Sequence, residues 1–475
     1  MALTLRDLWK ALGAGPWPWE ETAGRPFTDV VVDSRLVVEG SLFVALRGER
    51  SDGHLFVGDA FRRGAQAALV QRPVDECVTL IDTGQQLDAG SPPPQPVCFL
   101  VRDSLGALQQ LAAYWRRQHP RSRVIGITGS VGKTTTKELI AAVLGRHFSI
   151  VKSLGNYNNE IGLPLTMLRL QPGVDWAVQE MGMYDLGEIA HLADIAQPEI
   201  GVVTNVGPTH LERLGSIERI AQAKTELVQA LPSDGLAVLN GDDKRVRAMA
   251  AVTTAKKVVF YGLEPNNDVW ADDLQTHGLE GLWMRFHSQG QAVHARLPIL
   301  GHHSAYGALA AAAVGLSLGL AWDEVISGLR DESTRVRLLV VPGVRNTTIL
   351  DDTYNASPDS TGAALNLLAE MDGRKVAVLG DMLELGNYEV EGHCFVGRRA
   401  ADVVSVLITV GDLGRLIAEE AVAAGMPSAT VHAVADNDEA VRVLHRVLAQ
   451  GDFVLVKGSR GMAMEAIVAE LARGD

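Results

Sequence analysis

The chain has 475 residues, 47% of them hydrophobic and 21% charged, with a formal net charge of −14. That length suits about three domains of roughly 150 residues each, with the composition of an ordinary soluble globular protein. The acidity excludes a general nucleic-acid or acidic-membrane binder, though not a small anion held in a locally basic cleft.

Three widely spaced cysteines, Cys77, Cys98 and Cys394, fit neither a disulfide framework nor a zinc pattern and read as buried thiols in a reducing compartment. The opening MALTLRDLWKALG lacks a basic segment followed by an apolar core, so no signal peptide is expected. The most apolar window, Ala305 to Ala321, is short for a bilayer, and its small residues suit a closely packed buried helix. A cytoplasmic protein is expected.

Residues 1 to about 100 read as a first α/β unit. It has strands at Val30 to Val32, Ser41 to Leu46 and Ala67 to Val70, with Asp33-Ser34-Arg35 and Asp52-Gly53-His54 between them. Gln85 to Gln95, with Pro92-Pro93-Pro94, reads as a surface loop. A helix over Ser104 to Gln118 leads into RVIGITGSVGKTTTKELIAAVL, Arg123 to Leu144. There a β-branched strand breaks at Thr128-Gly129, turns through Gly132-Lys133-Thr134-Thr135, and opens into a helix carrying Leu139, Ile140, Val143 and Leu144 on one face.

Strand, glycine turn and helix make a phosphate loop, whose backbone N–H groups converge on an anion at a helix N-terminus. Gly129, Ser130, Val131, Gly132, Lys133, Thr134 and Thr135 are the expected nucleotide-binding residues. Lys133 would reach the β/γ-phosphates and Thr134 would offer its hydroxyl to Mg²⁺. The strict pattern G-x-x-x-x-G-K-[ST] wants glycine at position 127, where this chain has isoleucine.

From about 120 to 315, strands alternate with helices, the pattern of a mostly parallel sheet covered on both faces. Strands are expected at Ile150 to Lys152, Trp176 to Gln179 and Ile200 to Thr204, with antiparallel strands appended between Tyr261 and Pro298. From about 320 a second doubly wound α/β unit follows, with strands at Thr348 to Leu350, Lys375 to Leu379, Ser405 to Val410, Thr430 to Val434 and Phe453 to Val456. Ligands of such sheets lie beyond the carboxyl ends of the strands. That rule points to Glu180, Asn205 with His210, and the Asp351-Asp352 pair. Glu180 could hold Mg²⁺ against phosphates, or face water. His210 and Lys224 carry no signal of their own, and a lone helical lysine is by default a solvated one.

TGSVGKTT, NYNNEIGLPLT, EMG, NVGPTHLE, AKTEL, DDTYNASPDS, LGDMLELG and VLVKGSRG, in that order from one end of the chain to the other, resemble the Mur ligase family. The N-terminal DSR…GSLFVALRG…DGH is similar to that family's UDP-sugar-binding domain. The resemblance implies an α/β protein of three domains. A small UDP-binding domain would span 1–100, a central P-loop ATPase domain with a mostly parallel sheet 101–318, and a Rossmann-like domain 319–475. It implies an ATP-dependent ligase of peptidoglycan precursor synthesis working through an acyl phosphate. NYNNEIGLPLT and DDTYNASPDS point to joining D-alanyl-D-alanine to UDP-N-acetylmuramoyl-tripeptide.

By the same resemblance, Lys133, His210 and Lys224 would be catalytic. Thr134 and Glu180 would hold a first Mg²⁺, and His210 with a carbamylated Lys224 a second. Arg337 and Asp352 would contact ATP. Ser34, Arg35, Asn158, Asn159, Asn355, Lys457 and Arg460 would bind the other substrates, although Asn158 and Asn159 could equally cap their own turn. The family's adenine-side helix usually begins H-N-x-x-N and here reads His303-Ser304-Ala305-Tyr306-Gly307, so adenine recognition must use other groups or be looser. The third domain is expected to move, and the protein to be a monomer. The alternatives are a relative that adds another amino acid, and a nucleotide switch. A switch should carry a guanine-reading N-K-x-D loop, and none is present.

Overall fold

The computed structural model describes residues 3–13, 15, 17–19, 26–48, 51–75, 77, 79–85, 94–155, 157–331 and 338–472. Arg337, Asn156 of NYNNEIGLPLT and most of the proline-rich loop, residues 86–93, lie outside the described residues. Among the described residues the strands form three sheets, of five, nine and six strands.

The first sheet is parallel throughout, in the order Val30–Val31, Leu42–Val44, Ala67–Val70, Val97–Leu100 and Thr79–Asp82. It corrects the expectation of free thiols: Cys77 and Cys98 are joined as a disulfide, with Cα atoms 5.9 Å apart. Cys98 sits on an inner strand of the sheet and Cys77 just before the edge strand paired to it. Strand order, which sequence spacing does not reveal, makes them neighbours.

The helix Ser104–Gln118 binds this sheet to the next. Asp103 caps it by accepting from the Leu105 N–H at 3.0 Å, satisfying one of the orphan donors of the first turn. Its apolar stripe, Ala107, Leu108, Leu111, Ala112 and Trp115, is buried. Opposite that stripe are Trp9 and Phe99 of the first unit and Leu163, Leu170 and Leu192 of the second, all in one continuous cluster. Each buried leucine or phenylalanine among them stabilises the junction by about 1.5–3 kcal/mol. The buried Arg116 and Trp115 donate to the carbonyls of Ala196 and Leu170, at 2.9 and 3.0 Å.

In the nine-stranded sheet, Arg123–Thr128 lies between Trp176–Glu180 and Ile200–Val203, all three parallel. Later strands run outward on one side and Ile150–Lys152 closes the other. The first strand of the unit is therefore the switch point of the sheet, where a crevice opens. Leu282–Ser288 and Gln291–Leu297 add the expected antiparallel edge. The Ala/Gly-rich segment forms the helix Ser304–Ser317, buried on nearly every side and packed against the helix Lys133–Leu144. The next helix, Trp322–Leu329, also buries Trp322, Val325, Ile326 and Leu329 in this core. The third sheet begins only at Leu339.

That sheet pairs Leu339–Gly343 antiparallel with Thr347–Asp352. It continues in parallel through Phe453–Lys457, Lys375–Gly380, Val406–Val410 and Val431–Val434. Its two faces bury separate apolar clusters. The first two units thus share a core, whereas the third carries its own.

Candidate functional site

Ile127 explains its own departure from the strict pattern. It is fully buried inside the strand, and the loop proper starts two residues later. Gly129 has φ +149°, and a Cβ there would stand 1.8 Å from Thr204 Oγ1, so only glycine fits. Gly132, at φ +87°, caps the helix Lys133–Leu144 in the left-handed conformation, which glycine adopts without strain.

Between these glycines the loop is held from the neighbouring strand end. The Ser130 N–H donates to Asn205 O at 3.0 Å, and the Val131 N–H to Asn205 Oδ1 at 2.9 Å. Thr204 Oγ1 and Asn205 Nδ2 both donate to Val131 O, at 2.7 and 2.9 Å. Lys133 Nζ donates to the carbonyls of Gly129 and Ser130 at 2.8 and 3.2 Å, which keeps its charge at the mouth of the loop. A helix start with unpaired N–H groups, a positive end of the helix dipole and a lysine forms an anion site.

On the other flank, Glu180 ends its strand almost fully buried. Its Oε2 accepts from Thr134 Oγ1 at 2.9 Å and its Oε1 from Asn158 Nδ2 at 3.0 Å. The Glu180 N–H donates to Ser153 Oγ at 3.1 Å. A hydroxyl and a carboxylate oxygen side by side at a phosphate loop are the hard donors that Mg²⁺ prefers. Among the described residues, no group of three or more His, Cys, Asp or Glu side chains forms a metal cage.

His210 has left-handed backbone, φ +58°, and its Nδ1 lies 2.6 Å from Glu384 Oε2 in the third unit. Lys224, on the helix Ile217–Gln229, is 2% exposed, contrary to the default of a solvated lysine. Burial, and secondarily the positive Lys133, hold its amine well below the usual lysine range. No acceptor for it occurs among the described residues.

Two chambers meet at the loop. One, of about 600 Å³, is lined by Gly129, Lys133, Asn158, Glu180, His210 and Lys224, with Arg460 among the residues of its far wall. The other, of about 790 Å³, is lined by Val131, Gly132, Thr135, Tyr306, Asp352 and Lys457. Ser130, Thr209 and Asn355 border both. A further cavity of about 510 Å³ beside Trp270 and His287 is apart from this junction.

Most of the residues expected from the sequence come together here, with differences of placement. Asn159 lines the first chamber, but its Oδ1 accepts from the Gly162 N–H at 3.0 Å, the local capping that asparagine favours. Asn355 Oδ1 likewise accepts from Ala356 N at 2.9 Å. Lys457, 2% exposed, is bound to Asp352 Oδ2 at 2.6 Å and Asn355 O at 2.8 Å, on the wall of the second chamber. Arg460 pairs with Glu465 at 3.1 Å. Ser34 and Arg35 line neither chamber, and the exposed Arg35 side chain pairs with Asp33. Sequence reasoning missed Glu384, although LGDMLELG is among the quoted motifs. It also missed the Tyr306 hydroxyl, which donates to Asp242 Oδ2 at 3.1 Å.

Family models match along most of the chain. The Mur ligase family catalytic domain matches residues 26–90, the Mur ligase middle domain 127–315, and the Mur ligase glutamate ligase domain 336–460. The chain belongs to the Mur ligase family. It is 39% identical to the UDP-N-acetylmuramoyl-tripeptide–D-alanyl-D-alanine ligase of Synechocystis sp. over 446 residues, which are 93% of this chain and 91% of that one. It is 38% identical to the protein of the same name from Bacillus subtilis, over 93% of this chain and 92% of that one. Among solved structures, MurF from Acinetobacter baumannii superposes with a TM-score of 0.82 at 30% identity, covering 99% of this chain and 98% of that one. MurF from Thermotoga maritima in complex with ADP superposes at 0.76, also 30% identical, over 94% and 97%.

Replacing Gly129 with alanine should push the loop off Thr204, because the added methyl has no room and the backbone is strained for any L side chain. Calorimetry should show nucleoside triphosphate affinity falling by about tenfold or more, the equivalent of roughly 1.4 kcal/mol. Unchanged affinity would mean that the loop is not the anion site.

Proposed function

We propose that the protein is the ATP-dependent ligase that joins D-alanyl-D-alanine to UDP-N-acetylmuramoyl-tripeptide in peptidoglycan precursor synthesis. One observation carries the reading: the phosphate loop is the common wall of two chambers, so a triphosphate on one side and an acid on the other meet across Ser130. The names of the relatives supply the identity of the acid and the amine.

A carboxylate is a poor electrophile because its leaving group would be oxide. Transfer of the γ-phosphoryl group to the tripeptide carboxylate gives an acyl phosphate and ADP. The unprotonated dipeptide amine then attacks the acyl carbon, a proton passes from its nitrogen, and the tetrahedral intermediate collapses by breaking the C–O bond, which releases hydrogen phosphate. Two anions must approach in the first step, so the residues act mainly by neutralising charge and by alignment. Lys133 and the N–H groups of the loop hold the triphosphate. Thr134 and Glu180 are the residues that would hold Mg²⁺, with His210 and Lys224 near a second ion. When bound, the ions mask phosphate charge and act as Lewis acids.

Asn158, fixed by Glu180, presents its remaining amide atoms to the peptide. Arg460 faces the same chamber and suits the dipeptide carboxylate, while Lys457 acts from the other side by orienting Asp352 toward the nucleotide. With asparagine absent at 304 and 307, the base is taken by Tyr306 and His303, both of which line the second chamber. Ser34 and Arg35 would meet the UDP end on the first unit, and Arg337 the nucleotide. The soluble nucleotide substrates suit a cytoplasmic enzyme, and a monomer is part of the proposal. Cys77 and Cys98 line neither chamber, so their redox state does not enter the chemistry.

Lys224 is proposed to be N-carboxylated. An unprotonated lysine amine adds to CO₂ with loss of a proton, and burial favours that form of Lys224; the product is an anionic oxygen donor. The separate core of the third unit further supports closure of that unit over the acyl phosphate, excluding water.

Phosphate release should require the nucleotide-linked tripeptide and D-alanyl-D-alanine together, and Lys133→Ala should lower the rate by at least about a hundredfold; release without the dipeptide would favour a switch. Lys224→Ala should be inactive yet partly restored by a short carboxylic acid, and ¹³CO₂ should give the wild type a carbamate carbon signal that the variant lacks. Small-angle scattering should show a smaller radius of gyration with ATP and tripeptide than without; an unchanged radius would remove the closure step.

A further inference from the structure

Glu384 is in none of the roles described so far, yet its contact joins two units whose apolar cores are separate. It belongs to the turn after the strand Lys375–Gly380, and His210 to the turn after Ile200–Val203. Both residues have left-handed backbone, φ +66° and +58°, a conformation that side-chain-bearing residues seldom adopt and that gathers at functional sites. The two turns lie against each other. A Cβ on Gly386 would stand 2.8 Å from Glu212 Cα, so glycine there permits the approach. The Tyr184 ring meets His210 edge-on, with centroids 5.1 Å apart, and Arg213 stands over Tyr184.

We propose that Glu384 is a positioning residue for His210, reaching across from the third unit to fix which imidazole nitrogen faces the cleft. An ionised carboxylate only accepts hydrogen bonds. At 2.6 Å from Glu384 Oε2, Nδ1 must therefore carry a proton, and in the neutral ring that leaves the Nε2 lone pair as the acceptor. A neutral imidazole in water carries its proton mainly on Nε2, so without Glu384 the ring would present a donor where an acceptor is wanted. A partner of this kind on the far nitrogen sets both tautomer and ring orientation. Because the partner lies on another unit, the contact also ties His210 to the position of the third unit, and a closing movement has to keep it. This rests on the ligase reading for the place of His210 beside the reacting groups.

The test is ¹⁵N NMR of the histidine rings in the ligand-free, metal-free chain, on the alkaline side of the ring titration, with His210 assigned by its loss in His210→Gln. Wild type should show a protonated Nδ1 and a bare Nε2. Glu384→Ala should move the proton to Nε2, and Glu384→Gln, whose amide oxygen still accepts, should keep it on Nδ1. In turnover, Glu384→Ala should lower kcat about 10- to 100-fold and leave KM for ATP within about twofold, with Glu384→Gln recovering most of the rate. A merely structural contact would change the melting temperature but not the tautomer. A wild-type proton on Nε2, or no change in Glu384→Ala, would overturn the proposal. Should the alanine variant fail to fold, the wild-type and glutamine spectra decide alone. Since no substrate is present, a negative result here leaves the ligase reading standing, whereas the Lys133→Ala assay tests that reading separately.

Discussion

Everything at this site depends on the clasp between one loop and the end of the adjacent strand. Asn205 and Thr204 bind the backbone of Ser130 and Val131 from the side, and Gly129 lets the two chains touch. With its flank already paired, the loop can direct its remaining N–H groups only outward, at the start of the helix Lys133–Leu144. The clasp is possible because the sheet reverses its order at Arg123–Thr128. One neighbour then supplies the clasp and the other supplies Glu180. A loop at a sheet edge would have one of these and lack the other.

The three units differ in how they are joined. Between the first and second, the helix Ser104–Gln118 buries leucines and tryptophans on both sides, an attachment too large to break during a catalytic cycle. The third unit has complete cores of its own, and near the cleft it meets the second through polar groups such as His210 and Glu384. Leu300 of the second unit also packs on the third unit's core, so the contact is mixed and smaller in kind than the shared core of the first two units. A rigid two-unit base with a third unit on an adjustable contact suits a reaction whose substrates enter separately and whose intermediate must be kept from water.

Local chemistry was legible in the sequence wherever it is written in consecutive residues. The strand–glycine–helix order at 123–144, the helix over Ser104–Gln118 and the buried Ala/Gly helix all follow from periodicity and turn residues, and the structure has them at those positions. Glu180 was found because it ends an apolar run. What escaped depends on which distant segments become neighbours. Ile127 departs from a pattern only because the strand runs further than the pattern allows. Cys77 pairs with Cys98 because of strand order. Trp322–Leu329 turned back into the central core, a choice that its own amphipathic stripe leaves open. Lys224 read as solvated because helix burial depends on what packs over it. His210 and Glu384, 174 positions apart, share no local signal at all.

The helix Ser304–Ser317 bears on how such a machine keeps its calibration. Gly307 stands close enough to the side chains of Leu139 and Thr135 that even a methyl group would meet them at 3.2–3.3 Å, and Gly315 is equally tight against Val143 and Val325. With almost no side open to solvent, this rod wedges the phosphate-binding helix against its sheet. Hinged parts can swing freely only if something else refuses to give way, and here the smallest side chains in the protein make the anvil.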